Sequence, residues 1–217
     1  MESTDIEKYS AIMKEIKLRV ALANIALATN PEDDRIPMVI ESIGLQFRKV
    51  FELIAFATLA ANRAQYSLVY GDFSRDWEAG KLLKNLQKVN PNFYPKPVTE
   101  EQSDQPGVRA SLNDREQDYL TQADLIESHG RCGGLMHAAN PFGEPIDYAF
   151  YLRSFHVWRD KIIKLLHVHR VHLLGDSGFY HFHMKEEGHD DVSYYRAERH
   201  GETDTATFYR ISSRSEN

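Results

Sequence analysis

The chain has 217 residues, of which 42% are hydrophobic and 27% are charged, with a formal net charge of −6 and a single cysteine. This composition is typical of a folded globular protein, and the length suits one large domain or two small ones. The acidic balance argues against nucleic-acid binding over the whole surface but leaves room for a local basic site. One cysteine excludes an intrachain disulfide, the N-terminus lacks the regions of a signal peptide, and the longest apolar run is too short to span a bilayer. We therefore expect a cytoplasmic protein with no membrane association.

Apolar residues that recur at helical spacing predict three helices in the first half of the chain. They span about residues 5–29, 36–66 and 76–90. The second helix is apolar almost all round over residues 50–61, so we expect it to be the central and most buried helix. A polar stretch at residues 99–115, which contains a proline–glycine pair, predicts a surface loop.

Two further helices and a small sheet are predicted in the second half. The helices span about residues 114–127 and 147–166. After them the apolar period changes from 3.6 to 2, which predicts four antiparallel strands at residues 168–174, 179–186, 192–199 and 205–211. The predicted fold class is therefore α+β, mainly α: a bundle of about five helices in residues 1–166, followed by a C-terminal antiparallel β-meander in residues 167–212. A sheet of this size needs a partner surface, so we expect it to pack on the bundle.

The predicted central helix carries a charged stripe. Glu41, Arg48 and Glu52 are spaced i, i+7 and i+11, which places them on one side of the helix. Arg48 and Glu52 are one turn apart and can form an ion pair. On a helix that is otherwise buried, such a stripe is either an internal network that fixes the register of the bundle or the wall of a functional site.

Four sequence segments carry a resemblance to a bacterial family. The central helix reads IGLQFRKVFELI at residues 43–54, and the other segments are KLLKNL at 81–86, NPNFYPKPV at 90–98 and GRCGGLMH at 130–137. Together they resemble a family of uncharacterised bacterial proteins with an LQ-R-ELI pattern in the central helix. This resemblance supports the fold and marks these positions without naming a reaction.

The last of these segments also resembles a catalytic pattern. Arg131 is followed by His137 after five intervening residues, which is similar to the Arg-x(4–6)-His pattern of HEPN domains. HEPN domains are helical bundles, many of them metal-independent ribonucleases of toxin–antitoxin and phage-defence systems, and two protomers usually share one composite site. The resemblance implies that His137 exchanges protons with the ribose 2′-hydroxyl or the leaving 5′-oxygen while Arg131 binds the phosphate. Arg48 and Glu52 would orient them from the central helix.

Two features of the segment depart from the HEPN pattern. Cys132 follows the arginine, where active HEPN ribonucleases usually have a polar residue. On a continuous α-helix, positions six apart differ by about 240° of rotation, so Arg131 and His137 would not share a face. The site therefore needs a helix break, which the glycines at 133 and 134 favour, or a partner protomer.

Structural roles explain the same residues without catalysis. His137 would then be a buried imidazole, and Arg131 would be a helix-end arginine paired with Glu127 or Glu52. Cys132 has a histidine and an arginine beside it that can lower the pKa of a thiol, although a lone cysteine is more often buried and inert.

Eight of the ten histidines lie after residue 150. The turn between the first two predicted strands pairs His172 with His181 and Arg170 with His183, which places all four on one face while the opposite, apolar face packs on the bundle. His172, His181 and His183 are then within reach of a common Zn²⁺ ion with water as the fourth ligand, or of a phosphate together with Arg170. Imidazoles on an exposed strand face also occur without any ligand, and a one-residue slip in register would disperse the cluster.

The sequence leads to two functional hypotheses. The first is a HEPN-like nucleic-acid-acting protein, a metal-independent ribonuclease effector of a bacterial defence or toxin–antitoxin system, which requires no cofactor. Its implied partners are RNA, a second copy of the chain in a homodimer, and an antitoxin. The alternative is a non-enzymatic helical protein that binds a protein partner or assembles into a larger complex, and it predicts an exposed apolar patch. A metal-dependent hydrolase that uses the histidine face is a third interpretation.

Overall fold

The structure is a computed structural model that describes residues 3–29, 33–71, 78–102, 110–172, 178–185, 191–199 and 206–210. Its helices are α1 (Ser3–Ala28), α2 (Ile36–Ala61), α3 (Arg63–Tyr70), α4 (Ala79–Val89), α5 (Gln122–Gly133) and α6 (Tyr148–Leu166), with a 3₁₀ turn at Asp33–Arg35. Its strands are β1 (Lys96–Gln102), β2 (Ala110–Asp114), β3 (Val168–His172), β4 (Gly178–His183), β5 (Ser193–Arg199) and β6 (Ala206–Arg210). The fold is α+β and mainly helical, which confirms the predicted class. Across these ranges, no helix combines the length and the apolar character needed to cross a lipid bilayer.

Helix α2 is the centre of the bundle, as its apolar character predicts. It contacts α1, α4, α5 and α6, and its buried residues recur at helical spacing. Phe47 of α2 stacks on Phe155 of α6 with ring centroids 5.2 Å apart, and the edge of Trp158 closes the same aromatic cluster. These rings hold α2 and α6 together in the core of the bundle.

The helix predicted over residues 36–66 is two helices, because α2 ends at Ala61. Asn62 leaves the helical conformation, and its side-chain amide donates a hydrogen bond to the carbonyl of Thr58 at 2.8 Å. A side-chain amide that binds the preceding turn competes with the backbone hydrogen bonds of a continuing helix. The apolar periodicity continues through Tyr66 and does not reveal this break.

The predicted surface loop at residues 99–115 is wrong for residues 99–102 and 110–114, because β1 and β2 occupy them. The two strands pair antiparallel from Val98↔Asp114 to Gln102↔Ala110. Residues 103–109, which include the proline–glycine pair, lie outside the described residues. The sequence of these strands resembles that of a loop, because a polar strand at a sheet edge has little alternation of apolar and polar residues. The next helix, predicted from about residue 114, begins at Gln122 behind a capping box formed by Thr121 and Asp124.

The six strands form one antiparallel sheet in the order β2-β1-β3-β4-β5-β6. The pairing of β3 with β4 differs from the predicted register by two residues: Arg170 lies opposite His181, and His172 lies opposite Phe179. A shift of two residues keeps each side chain on its predicted face. Val171, Tyr180 and Phe182 therefore join the core of the bundle, and the histidine face is on the other side of the sheet.

Candidate functional sites

The segment that follows α5 contacts α2 at a glycine. A Cβ atom at Gly44 would lie 2.5 Å from Cδ1 of Leu135, closer than carbon atoms can approach. Leu135 is buried just beyond the end of α5. The glycine therefore allows the side chain of Leu135 to lie directly against α2.

The charged stripe of α2 meets a histidine of α5. Arg48 Nε lies 3.2 Å from Glu52 Oε1, and His129 Nε2 lies 3.1 Å from the same oxygen. All three side chains are half-buried, and the guanidinium group of Arg48 lies against Gly133, where a Cβ atom would be 3.3 Å from Nη1. One carboxylate thus binds both an arginine and a histidine. We call Arg48, Glu52 and His129 the α2–α5 polar cluster.

Glu41 lies on the same stripe but takes part in a different contact. Its carboxylate accepts a hydrogen bond of 3.2 Å from the hydroxyl group of Tyr148 in α6. Glu41 therefore links α2 to the start of α6, and the α2–α5 polar cluster stands without it.

Arg131 lies at the exposed end of α5. Its guanidinium group is 3.6 Å from Glu127, one turn back, and lies 5.5 Å from the ring centroid of Phe150. Its carbonyl group accepts a hydrogen bond from Tyr151. The predicted pairing with Glu127 is therefore present, but an exposed pair one turn apart contributes only a few tenths of a kcal/mol, roughly 0.3, and leaves the cation available to an anion.

His137 is exposed, so the alternative of a buried imidazole is wrong. Within the part of the chain that the structure describes, it makes no hydrogen bond or ion pair. Backbone N–H groups of residues 134–136 donate to the carbonyl groups three residues back, each at 3.1 Å, which is 3₁₀ spacing. These bonds end the regular α-helix before His137, so the rotation of about 240° expected for a continuous α-helix does not apply to Arg131 and His137.

Cys132 is buried in the core between these polar groups. Burial raises the pKa of its thiol to about 12, while nearby Arg48 opposes the rise and Glu52 adds to it. The thiolate is the nucleophilic form of cysteine. The position therefore favours packing over nucleophilic chemistry.

A second polar cluster lies on the face of the sheet remote from the bundle. Nε2 of His181 is 2.9 Å from Oε1 of Glu100, and Nε2 of His183 is 3.3 Å from the same oxygen. We call these three residues the sheet cluster. His172, the third histidine of the predicted metal set, lies outside it, because the register shift places it beside Phe179.

Burial and hydrogen bonds set the charges of the sheet cluster. Burial raises the pKa of Glu100, but hydrogen bonds from His181 and His183 outweigh it and hold that pKa well below its ordinary value. Burial lowers the pKa of His181, although its hydrogen bond to Glu100 acts in the opposite direction. The carboxylate is therefore ionised at neutral pH, and His181 is a neutral imidazole.

A buried arginine lies next to the sheet cluster. Arg170, opposite His181 in the sheet, forms an ion pair with Asp114 of β2 and lies 5.4 Å from the ring centroid of Phe179. The carboxylate of Asp114 offsets part of the guanidinium charge, although Arg170 still contributes to the lowered pKa of His181.

Sequence reasoning missed two residues of these clusters, His129 and Glu100. The signal for His129 was its place one turn before Cys132 on a helix that packs on α2. Glu100 carried no signal, because its strand read as a loop. Comparison with known proteins finds no significant match to a family model, to a curated protein or to a solved structure.

Proposed function

We propose that the chain is a HEPN-like nucleic-acid-acting protein that cleaves RNA without a metal at the α2–α5 end of the bundle. The observation that carries the proposal is the shared carboxylate of Glu52, which binds the imidazole of His129 and the guanidinium group of Arg48. A carboxylate that orients a histidine beside an arginine is an arrangement suited to proton transfer next to a bound phosphate.

The proposed reaction is an internal transesterification. The ribose 2′-oxygen attacks the adjacent phosphorus, the bond from phosphorus to the 5′-oxygen breaks, and the products are a 2′,3′-cyclic phosphate and a free 5′-hydroxyl. A histidine removes the proton of the 2′-hydroxyl or supplies one to the leaving 5′-oxygen, and an arginine stabilises the charge on the phosphate. His137 and His129 are the candidates for the proton transfer, and Arg131 and Arg48 are the candidates for the phosphate.

The local geometry supports Arg131 and His137 as members of this site. Both are exposed, and the 3₁₀ bonds of residues 134–136 end the α-helix between them. In a homodimer, His137 of one protomer would complete the site of the other, as in the composite sites of HEPN ribonucleases.

Cleavage of RNA in the presence of a chelator tests the proposal. We expect the wild-type protein to produce 2′,3′-cyclic phosphate ends and to spare a substrate with 2′-deoxyribose at the cleaved position. His137→Ala and His129→Ala should each lose activity by about 100-fold or more, the usual contribution of a general acid or base. His156→Ala, which removes an exposed histidine of α6, is the matched control and should leave the rate unchanged. A folded wild-type protein without chelator-resistant cleavage would refute the proposal.

Mixing two inactive variants tests the composite site. If each site takes its arginine from one protomer and its histidine from the other, Arg131→Ala mixed with His137→Ala should recover activity that neither has alone. Activity confined to the wild type, with no recovery on mixing, would place both residues in the same protomer.

A different observation favours the second candidate function, binding to a protein partner. Leu18, Leu22 and Ile25 of α1 are 71%, 53% and 66% exposed, and their spacing of i, i+4 and i+7 aligns them in an apolar stripe. The simplest partner is a second copy of this chain. We expect a dimer by light scattering that Leu22→Asp dissociates, whereas Leu68→Asp, at an exposed leucine of α3, should not change the mass. A wild-type chain that stays monomeric at high concentration would exclude self-association through this stripe.

A further inference from the structure

We infer that Glu100, His181 and His183 form a binding site for a divalent transition-metal ion of the Zn²⁺ class. This inference concerns the sheet, and it stands or falls independently of the proposed ribonuclease site on the bundle.

The topology of the sheet brings the three residues together. His181 and His183 are two apart on β4 and therefore point to the same face. Strand β1 pairs with β3 only at Lys96 and Pro97, and from Val98 onward it pairs with β2. Leaving β3 frees the β1–β2 hairpin to reach across this face, which is how Glu100 contacts side chains of a strand that is not its neighbour.

The distances are close to those of a metal site. All three ligand atoms lie within 4.8 Å of one another, and the two distances to the Glu100 oxygen are 2.9 and 3.3 Å. In tetrahedral coordination with bonds of about 2.05 Å, neighbouring ligand atoms lie about 3.3 Å apart. The two nitrogen–oxygen distances are already near this value, and the two nitrogens, which lie within 4.8 Å of each other, would move closer together when an ion replaces the two hydrogen bonds to Glu100.

The donor set suits Zn²⁺ better than Mg²⁺ or Ca²⁺. Two imidazole nitrogens and one carboxylate oxygen are the ligands that zinc and its neighbours in the transition series accept, whereas magnesium and calcium require mostly oxygen. The carboxylate contributes one negative charge, and Asp114 offsets part of the nearby charge of Arg170. The site can thus accept a cation although an arginine is near.

The three residues of the sheet cluster differ in how deeply they are buried. The side chain of His181 is fully buried, that of His183 is 11% exposed, and that of Glu100 is 31% exposed. Two ligands are fixed within the sheet and the third faces solvent, which leaves a fourth position for water. Three protein ligands with one open position is the arrangement of metal sites that activate water.

Titration of the full-length chain with Zn²⁺ tests the inference. Protein freed of metal by a chelator and then dialysed should bind stoichiometric Zn²⁺ in competition with a chromophoric chelator, and Zn²⁺ should raise its melting temperature. Co²⁺ in place of Zn²⁺ should give the visible absorption of a four- or five-coordinate ion with nitrogen ligands.

Glu100→Gln and His183→Ala are the decisive variants. Both positions are partly exposed, and both variants keep the fully buried His181, so the fold should tolerate them. Each should weaken Zn²⁺ binding by about 100-fold or more, since each removes a direct ligand. His172→Ala is the matched control from the same face and should bind Zn²⁺ like the wild type. Circular dichroism checks that every chain is folded.

Three results would overturn the inference: no stoichiometric Zn²⁺ on the folded wild type, full affinity in Glu100→Gln, or a loss in His172→Ala equal to that in His183→Ala. The ribonuclease assay contains a chelator, so its failure and the failure of metal binding are separate outcomes.

Discussion

Acidification should destabilise this protein through His169, a histidine buried between α1 and the sheet. Its Nδ1 is 2.8 Å from the carbonyl oxygen of Leu166, and its Nε2 is 2.9 Å from the hydroxyl group of Tyr9. A carbonyl only accepts, so Nδ1 carries the proton and Nε2 accepts from the tyrosine. Both nitrogens of the neutral ring are therefore satisfied, and a second proton has no acceptor as good as water.

The size of the effect follows from the pKa of His169. Burial lowers that pKa to about 3, against an ordinary value of 6.5 in an unfolded chain. Below pH 6.5 the unfolded chain binds a proton that the folded chain does not, so the stability present above pH 6.5 is lost as the pH falls toward 3. Between pH 7 and pH 5 the linkage relation gives a loss of about 2 kcal/mol in the free energy of unfolding.

Urea unfolding at pH 7 and pH 5 measures this loss in the wild type and in His169→Asn. Asparagine keeps a donor for the carbonyl of Leu166 but does not titrate. The substitution itself lowers the free energy of unfolding by the same amount at both pH values, so this effect cancels in the difference between pH 7 and pH 5. The buried His181 adds a loss of the same sign, but it is present in both chains and also cancels. We expect the loss between pH 7 and pH 5 to be about 2 kcal/mol smaller in the variant. Equal losses in the two chains would show that His169 is not desolvated as the structure has it.

Three further perturbations address the packing of the bundle. Gly44→Ala should cost less than about 1 kcal/mol in urea unfolding, because only the terminal Cδ1 atom of Leu135 has to move and alanine is the better residue inside a helix. Adding Leu135→Ala should then cost less than it does in the wild type. Cys132 should resist a thiol reagent in the native protein and react only on unfolding, whereas rapid native labelling would contradict its burial and raised pKa. Arg63→Ala should lower the free energy of unfolding by about 3 kcal/mol, because it removes the cation 2.7 Å from the buried Asp5. Asp5→Asn in the same chain should recover part of this loss. A loss within 0.5 kcal/mol, roughly that of a surface pair, would contradict the prediction.

Periodicity predicted the parts of the fold that bury a continuous apolar face. Helix α6 was predicted at 147–166 and spans Tyr148–Leu166, and the four C-terminal strands were each predicted within a few residues of their ends. The β1–β2 hairpin was missed because its stability comes from pairing at a sheet edge, where polar side chains such as those of Thr99 and Glu101 face solvent without an apolar alternation. The break at Asn62 is accompanied by side-chain hydrogen bonds to Thr58 and from Asn90, which leave no mark on a periodic pattern of apolar residues.

The residues of the candidate sites could be predicted from the sequence only in part, for a different reason. Arg48 and Glu52 were predicted as a pair because they are neighbours on one helix. Their partner His129 lies 77 positions further along the chain than Glu52, and only the packing of α5 on α2 in the folded chain brings the two together. The sheet cluster likewise depends on the register of β3 with β4 and on a hairpin that crosses the sheet. The prediction therefore placed the histidines on the correct face of the sheet but included His172 in the metal site in place of Glu100.

The two proposed sites are joined by a short segment, and its anchoring decides whether they influence each other. The segment leads from β2 to α5, so the hairpin that holds Glu100 is continuous with the helix that holds His129. Leu120, in this segment, donates its N–H to the carbonyl of Lys161 at 3.0 Å and accepts from the hydroxyl group of Tyr94 at 3.1 Å. The first bond attaches the segment to α6 and the second attaches it to the residues just before β1, so a shift of the hairpin on metal binding should stop there before α5 begins. We therefore expect Glu100→Gln to weaken Zn²⁺ binding by about 100-fold or more and to leave RNA cleavage unchanged. A parallel loss of cleavage would mean that the hairpin and α5 move as one unit despite these bonds.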